Sequence, residues 1–195
     1  MKLACVIALM LLSLPAFAFN IVTTSAPEVN DVFTNDGVAV CDWDRAEELF
    51  DGGWLISRVY EGEVGSPAEG KWVYEYRVDM TDATDPASIP EIESVDIFNG
   101  PMLQYDYNFD STSTDDIYVI TSGGLGSIGL ASVTTLLTGD RRFLFSSYVA
   151  GGGGTGLGQS SYHFGFISDD SPHAILATVN TVAGPLSVPV WAPSY

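Results

Sequence analysis

The stretch that decides the fold is Lys71-Trp72-Val73-Tyr74-Glu75-Tyr76-Arg77-Val78-Asp79. Large apolar side chains alternate with mainly charged ones: Trp72, Tyr74, Tyr76 and Val78 on one side, Lys71, Glu75, Arg77 and Asp79 on the other. Successive side chains of a β-strand point to opposite faces, so this period of two predicts a half-buried strand. We expect its aromatic rings to pack in a core and its charged residues to face water.

Similar runs of β-branched and aromatic residues recur on both sides of this stretch, at 54–60, 92–98, 103–109, 116–121, 142–149, 161–167 and 174–182. Gly, Pro, Asn, Asp and Ser residues separate them, as is typical of turns. Many short strands joined by turns predict an all-β protein, specifically an antiparallel β-sandwich with a jelly-roll-like or Ig-like arrangement. We also predict a β-hairpin at 32–40, with its turn at Asn35-Asp36-Gly37.

One short peripheral helix is predicted near residues 44–50. Asp44 is a suitable N-cap, Glu47 stands three positions later as in a capping box, and Gly52 is a suitable terminator.

A glycine-rich motif follows the predicted strand at 116–121. The segment 124–129 has the spacing GxGxxG, but it lacks the acidic residue and the βαβ context of a dinucleotide site. We therefore predict a glycine-rich turn followed by a strand there, and a surface loop at the second glycine-rich tract, 151–158.

Residues 1–18 have the order of a secretory signal: the basic residue Lys2, an apolar run at 3–14, and small residues at Ala16 and Ala18. The apolar run is shorter than the roughly 20 residues that span a bilayer. We expect cleavage after Ala18, one sandwich domain over 19–195, and no membrane span after cleavage. The predicted location is secreted, at the cell surface or in the extracellular space, with the periplasm as the alternative.

The charge and cysteine content narrow the choice of partners. The formal net charge is -18 at pH 7, with 25 acidic residues spread along the chain. Nucleic acid and anionic membranes require a positive surface, so the sequence argues against both as partners. Cys5 would leave with the signal, and Cys41 would then be the one cysteine of the mature chain. It is either buried or free to pair with another chain, and the oligomeric state is not predicted.

One candidate metal site carries oxygen ligands at alternate positions: Asp106, Asn108 and Asp110. Calcium prefers such hard oxygen ligands and is therefore the candidate cofactor. The spacing departs from an EF-hand, because Ser111 replaces the turn glycine and Ile117 replaces the closing glutamate. The competing interpretation is a strand whose outward residues are polar.

A catalytic triad is the less favoured interpretation of a second cluster. Its members occur within a short segment: Ser160, Ser161, His163, Asp169, Asp170 and His173. No GxSxG elbow is present, since Tyr162 stands where the second glycine would be. We expect instead that His163 lies on the outward face of a strand and points to solvent.

A family resemblance is carried by residues 70–78 and by Gly158-Gln159-Ser160-Ser161-Tyr162-His163-Phe164-Gly165-Phe166-Ile167-Ser168. These stretches resemble the exported β-sandwich proteins of Gram-negative bacteria that carry a PEP-CTERM sorting signal. The family's tail has a Pro-Glu-Pro motif, a membrane-spanning segment and a basic end, and residues 188–195 contain none of these. The resemblance implies a cell-surface or extracellular-matrix protein without assigned catalysis, and it is not extended to sorting or anchoring.

These observations lead to one expected function and two alternatives. We expect a non-enzymatic exported protein of the cell surface or extracellular matrix that contacts polysaccharide or other envelope material. The first alternative is a carbohydrate-binding or calcium-dependent adhesion module, in which exposed coplanar rings of Trp54, Trp72 or Trp191 stack on sugars. The second is a secreted hydrolase with two carboxylates about 5 to 9.5 Å apart in a cleft.

Overall fold

A computed structural model describes residues 19–35, 40–83, 91–98, 100–152 and 158–194. The predicted signal at 1–18 and most of the second glycine-rich tract, at 153–157, lie outside the described residues. The centre of the predicted hairpin, at 36–39, lies outside them as well.

The described chain consists of strands with one short helix between the first two. In chain order the elements are β1 (Ile21–Ser25), α1 (Ala26–Phe33), β2 (Trp43–Phe50), β3 (Gly53–Glu61), β4 (Trp72–Asp79), β5 (Ile92–Phe98), β6 (Ile117–Ser122), β7 (Leu130–Thr135), β8 (Asp140–Val149), β9 (His163–Ser168), β10 (Pro172–Thr181) and β11 (Gly184–Pro193). Within the part of the chain that the structure describes, no helix is long and apolar enough to cross a membrane.

The strands form two sheets, which pack as a sandwich. The first sheet has the order β1-β6-β9-β4-β3-β2, and the second has the order β11-β10-β5-β8-β7. β1 pairs with β6 in parallel, while the other described strand pairs are antiparallel. The prediction of an all-β, antiparallel sandwich is confirmed, and the parallel β1 is an addition to it.

The core between the sheets is rich in aromatic rings. Tyr74 and Tyr76 of β4 stand opposite Phe166 and Phe164 of β9, so all four rings point to the same side of the first sheet. Phe143 of the second sheet reaches across, with its ring centroid 5.2 Å from that of Phe164. These rings are the apolar face that the period-two pattern predicts, and their burial in the core confirms it.

The opposite face of the first sheet is covered, contrary to the sequence prediction. α1 lies on it and contributes Val29, Val32 and Phe33 to a second apolar cluster. Glu75 and Arg77, which were predicted to face water, are only 6% and 7% exposed. The alternation in β4 is therefore real, but it separates two buried environments, one apolar and one partly polar.

The helix predicted near residues 44–50 is wrong, because that segment is the strand β2. β2 pairs with β3 as an antiparallel hairpin, and Gly52 adopts a φ of 78° in the turn between them. Pairing along the whole strand supplies more backbone hydrogen bonds than a local capping signal can secure, so tertiary context overrides it. The hairpin predicted at 32–40 is wrong at its start, since Val32 and Phe33 belong to α1.

The observed helix, α1, begins with a complete capping box. Glu28 N–H donates to Ser25 Oγ at 3.4 Å, and Ser25 N–H donates to the Glu28 carboxylate at 2.9 Å. Pro27 stands in the first turn, where its missing N–H costs nothing. Val29, Val32 and Phe33 then follow at spacings of three and four, which places them on the face that packs against the sheet.

We expect Ser25→Ala to lower the free energy of unfolding by about 1 kcal/mol, since the Glu28 backbone N–H would lose its side-chain acceptor. Chemical denaturation followed by circular dichroism measures this change. Thr23→Ala, at an exposed position of β1 two residues earlier, is the control and should change stability by less than about 0.5 kcal/mol. Equal effects from both substitutions would contradict a capping role for Ser25.

The remaining strand predictions are confirmed, with one exception. Strands at 54–60, 92–98, 116–121, 142–149, 161–167 and 174–182 correspond to β3, β5, β6, β8, β9 and β10. The predicted strand at 103–109 is wrong, because isolated bridges at Leu103 and Tyr105 are all that the structure has there. The glycine-rich segment 124–129 is followed by the strand β7, which confirms the turn-and-strand interpretation.

Candidate functional site

Three tryptophans from distant parts of the sequence meet at one edge of the sandwich. We call Trp43 of β2, Trp72 of β4 and Trp191 of β11 the tryptophan cluster. The Trp43 ring centroid lies 5.1 Å from that of Trp72 and 6.5 Å from that of Trp191. Trp43 is 39% exposed, and the other two rings are half-buried. The cluster is therefore a partly exposed aromatic surface whose inner rings are anchored on the core.

Strand pairing explains how these residues come together. Trp43 stands opposite Val59, and because Val59 is in the core, Trp43 points toward the second sheet at the open edge. β11 reaches this edge from the second sheet: its Trp191 N–H donates to Ser57 Oγ at 3.1 Å, and Tyr76 Oη donates to the Trp191 carbonyl at 2.8 Å. These cross-sheet hydrogen bonds fix the backbone of β11 against β3 and β4, next to the edge strand β2.

The guanidinium group of Arg45 lies against the tryptophan cluster. The Arg45 guanidinium carbon lies 4.8 Å from the centroid of the Trp191 ring, within the range of a cation–π contact. Arg45 Nη1 also lies 3.4 Å from Glu47 Oε1. Arg45 is thus held by a ring on one side and a carboxylate on the other. Trp191 Nε1 is buried and has no hydrogen-bond partner among the described residues.

The surroundings of the tryptophan cluster are mainly acidic. Glu61 stands directly opposite Trp72 in the β3–β4 pair, so both side chains lie on the same face. Asp42, the residue before Trp43, accepts a hydrogen bond from the Glu61 N–H at 2.7 Å. Lys71, the residue before Trp72, lies on the opposite face of β4, where it forms an ion pair with Asp169, and this hydrogen bond raises the pKa of the lysine.

The structure joins two of the three tryptophans predicted from sequence and separates the third. Trp72 and Trp191 belong to the cluster, while Trp54 lies on the other face of the first sheet and is 37% exposed. Trp43 was missed, because the predicted helix began next to it. The Trp43 ring is tilted by 47° to Trp72 and by 49° to Trp191, so it is coplanar with neither.

A buried polar cluster lies on the covered face of the first sheet, centred on Glu75. His163 Nδ1 lies 2.8 Å from Glu75 Oε1, and Tyr60 Oη donates to the same oxygen at 3.5 Å. Burial raises the pKa of Tyr60 and of Tyr118, whose hydroxyl is buried without a described partner. The expectation that His163 points to solvent is wrong, since its side chain is 10% exposed.

Four of the six residues of the candidate triad, Ser160, Ser161, His163 and Asp169, have other partners, while His173 Nδ1 is buried without a described one. Ser160 Oγ accepts from Arg77, and Ser161 Oγ accepts from the backbone N–H of Val78. Asp169 pairs with Lys71, and the carboxylate nearest His163 is Glu75 on the neighbouring strand. The described contacts therefore do not assemble a nucleophile, base and orienting acid from these residues.

The candidate calcium ligands lie in one exposed loop. Asp106 accepts hydrogen bonds from the backbone N–H groups of Asp110 and Ser111, at 2.9 and 2.8 Å. Asn108 Oδ1 accepts from the same Asp110 N–H at 3.2 Å, and hydrogen bonds from Thr112 lower the pKa of Asp110. The loop's own backbone thus uses these oxygens as acceptors. Calcium binding at Asp106, Asn108 and Asp110 stays a prediction.

Cys41 is half-buried at the start of the segment that leads into β2. Its thiol donates to the backbone oxygen of Trp43 at 3.1 Å. Burial raises the pKa of this thiol, so it is less reactive at neutral pH than an exposed cysteine.

The fold and the site define a β-sandwich that presents an aromatic cluster at the edge where its two sheets meet. Comparison with protein-family models, with curated proteins and with solved structures found no match for this chain.

Proposed function

We propose that the protein is an exported, non-enzymatic polysaccharide-binding protein of the cell surface or extracellular matrix, and that the tryptophan cluster is its binding surface. The observation that carries this proposal is the exposure of Trp43 beside the half-buried rings of Trp72 and Trp191. The predicted signal at 1–18 and the resemblance to PEP-CTERM-type exported proteins support the location.

The chemistry of sugars fits such a surface. A pyranose ring has an apolar face of C–H groups and an edge of hydroxyl groups, and a large aromatic ring with nearby polar groups can contact both. Trp43 offers the exposed ring, while Arg45, Glu47 and Glu61 offer donors and acceptors at the margin. The half-buried rings hold the surface rigid, which lowers the entropy lost on binding.

We expect Trp43→Ala to weaken polysaccharide binding about tenfold or more, since a central aromatic contact is worth on the order of 1.4 kcal/mol or more. Affinity electrophoresis in gels that contain soluble polysaccharides, followed by calorimetry on the best ligand, measures the effect. Trp54→Ala is the matched control, because Trp54 is exposed to nearly the same extent but lies on the other face of the sheet.

The outcome separates the proposed surface from the alternatives. Retained binding in Trp43→Ala together with loss in Trp54→Ala would move the site to the other face of the first sheet. A loss of binding on removal of calcium by a chelator would favour the adhesion alternative at Asp106, Asn108 and Asp110. No binding to any polysaccharide by the unaltered protein would refute the proposal.

A further inference from the structure

The charges around the tryptophan cluster bear on which polysaccharides it could accept. The charged side chains described on the same face as Trp43 and Trp72 are Arg45, Glu47 and Glu61, so carboxylates outnumber the one cation among them. The whole chain has a formal net charge of -18, so the local excess of negative charge is not offset by the rest of the protein. A chain of uronic acids would meet repulsion both at a distance and on contact.

The cation at the margin is already engaged. Arg45 lies against the Trp191 ring and beside Glu47. A carboxylate or sulfate on the ligand would have to draw Arg45 away from these contacts and leave Glu47 without its partner. A hydroxyl group makes no such demand, because it can donate to Glu47 or Glu61 without displacing Arg45.

Ring geometry also restricts the form of the ligand. Trp43 is inclined by 47° to Trp72 and by 49° to Trp191. A flat crystalline surface contacts several rings at once only when they are coplanar. Tilted rings instead suit a single chain, whose successive sugars can turn relative to one another.

We propose that the ligand of the tryptophan cluster is a single, uncharged polysaccharide chain, recognised through its ring faces and hydroxyl groups. This inference rests on the proposed function, because it names the ligand class of the same surface. It predicts that carboxylates added to an otherwise identical polysaccharide lower its affinity for the protein.

The experiment compares one polymer in two charge states. The uncharged soluble polysaccharide that binds best in the affinity gels is oxidised at its primary alcohols, which converts those positions to uronates on the same backbone. Calorimetry at 20 mM and 500 mM NaCl then measures both forms with the unaltered protein and with Glu61→Gln. Glu61 is exposed and lies beside Trp72, so this variant removes one repulsive charge with little change in shape.

We expect the oxidised chain to bind at least tenfold more weakly than the uncharged chain at low salt. High salt should recover part of this loss through screening, and Glu61→Gln should recover part of it at low salt. The affinity of the uncharged chain should change less than about twofold with salt, since no ion pair forms.

Equal or tighter binding of the oxidised chain would overturn the inference while leaving polysaccharide binding itself intact. If the protein binds the uncharged polysaccharide only in an insoluble crystalline form, the inference that the ligand is a single chain is overturned. Failure of every polysaccharide, charged or uncharged, would refute the proposed function and the inference together.

Discussion

Replacing Gly165 with alanine is expected to lower the free energy of unfolding by about 3 kcal/mol or more, the upper range for overpacking a core. Gly165 lies in β9, the strand between β4 and β6. A Cβ atom at this position would lie 2.2 Å from the backbone oxygen of Tyr74 and 2.5 Å from Tyr118 Oη. The first of these atoms belongs to the backbone of β4, so relief of the clash requires the neighbouring strand to move.

The matched control for this prediction is Gly129→Ala. A Cβ atom there would have its nearest neighbour at 3.9 Å, on the Tyr162 ring, which is ordinary contact. We expect the control to change the free energy of unfolding by less than about 0.5 kcal/mol. Denaturant titration monitored by tryptophan fluorescence measures both variants. A Gly165→Ala protein as stable as the control would show that β4 and β9 are packed less closely than described.

The sequence was sufficient to predict the inner layer of the sandwich. Alternation in β4 and β9 places Tyr74, Tyr76, Phe164 and Phe166 on one face, and these rings are buried together between the sheets. A period-two pattern is a local property of the chain, so it needs no knowledge of strand order. For the same reason it could not predict what covers the other face of the same strands.

Of the elements that were missed, β11 depends on partners far away in sequence, while α1 does not. β11 contains Pro185, Pro189 and Pro193, and proline removes a backbone donor from a strand. It is tolerated here because β11 is the edge strand of its sheet and pairs with β10 on one side. α1 carries the signature Ser25-Ala26-Pro27-Glu28 of a helix start, so this helix was within reach of sequence reasoning.

The tryptophan cluster could not be predicted as a unit. Its members occupy positions 43, 72 and 191; pairing of β2 and β4 with β3 brings Trp43 beside Trp72, and the packing of β11 against the first sheet adds Trp191. Local sequence showed that Trp72 and Trp191 were candidates for an aromatic surface. It did not show that Trp43 is the exposed ring, because the prediction of a helix near residues 44–50 concealed the strand that orients it.

Breaking the buried pair Glu75–His163 is expected to have the second large effect on stability. The side chains are 7% and 10% exposed, and His163 Nδ1 lies 2.8 Å from Glu75 Oε1. Glu75→Leu would leave the histidine and the Tyr60 hydroxyl buried without their shared acceptor. His163→Phe would leave the carboxylate buried with a weaker set of donors. We expect each single variant to lose about 3 kcal/mol of unfolding free energy. Removal of one partner leaves the other buried without the hydrogen bond that compensates for its lost contact with water.

The double variant Glu75→Leu/His163→Phe distinguishes a coupled pair from two independent packing defects. Replacing both partners with apolar groups removes the stranded histidine or carboxylate and leaves the Tyr60 hydroxyl as in Glu75→Leu alone, so the double variant should recover at least about 2 kcal/mol relative to the sum of the singles. Glu93→Leu, which removes an exposed carboxylate from β5, should cost less than about 0.5 kcal/mol and is the control for loss of charge alone. If the two single losses simply add in denaturant titrations, the pair contributes through shape and not through its hydrogen bond. Recovery in the double variant would mean that Glu75 of β4 can be buried only because His163 of β9 is its partner. The sequence pattern of β4 alone cannot predict this burial, because it contains no information about β9.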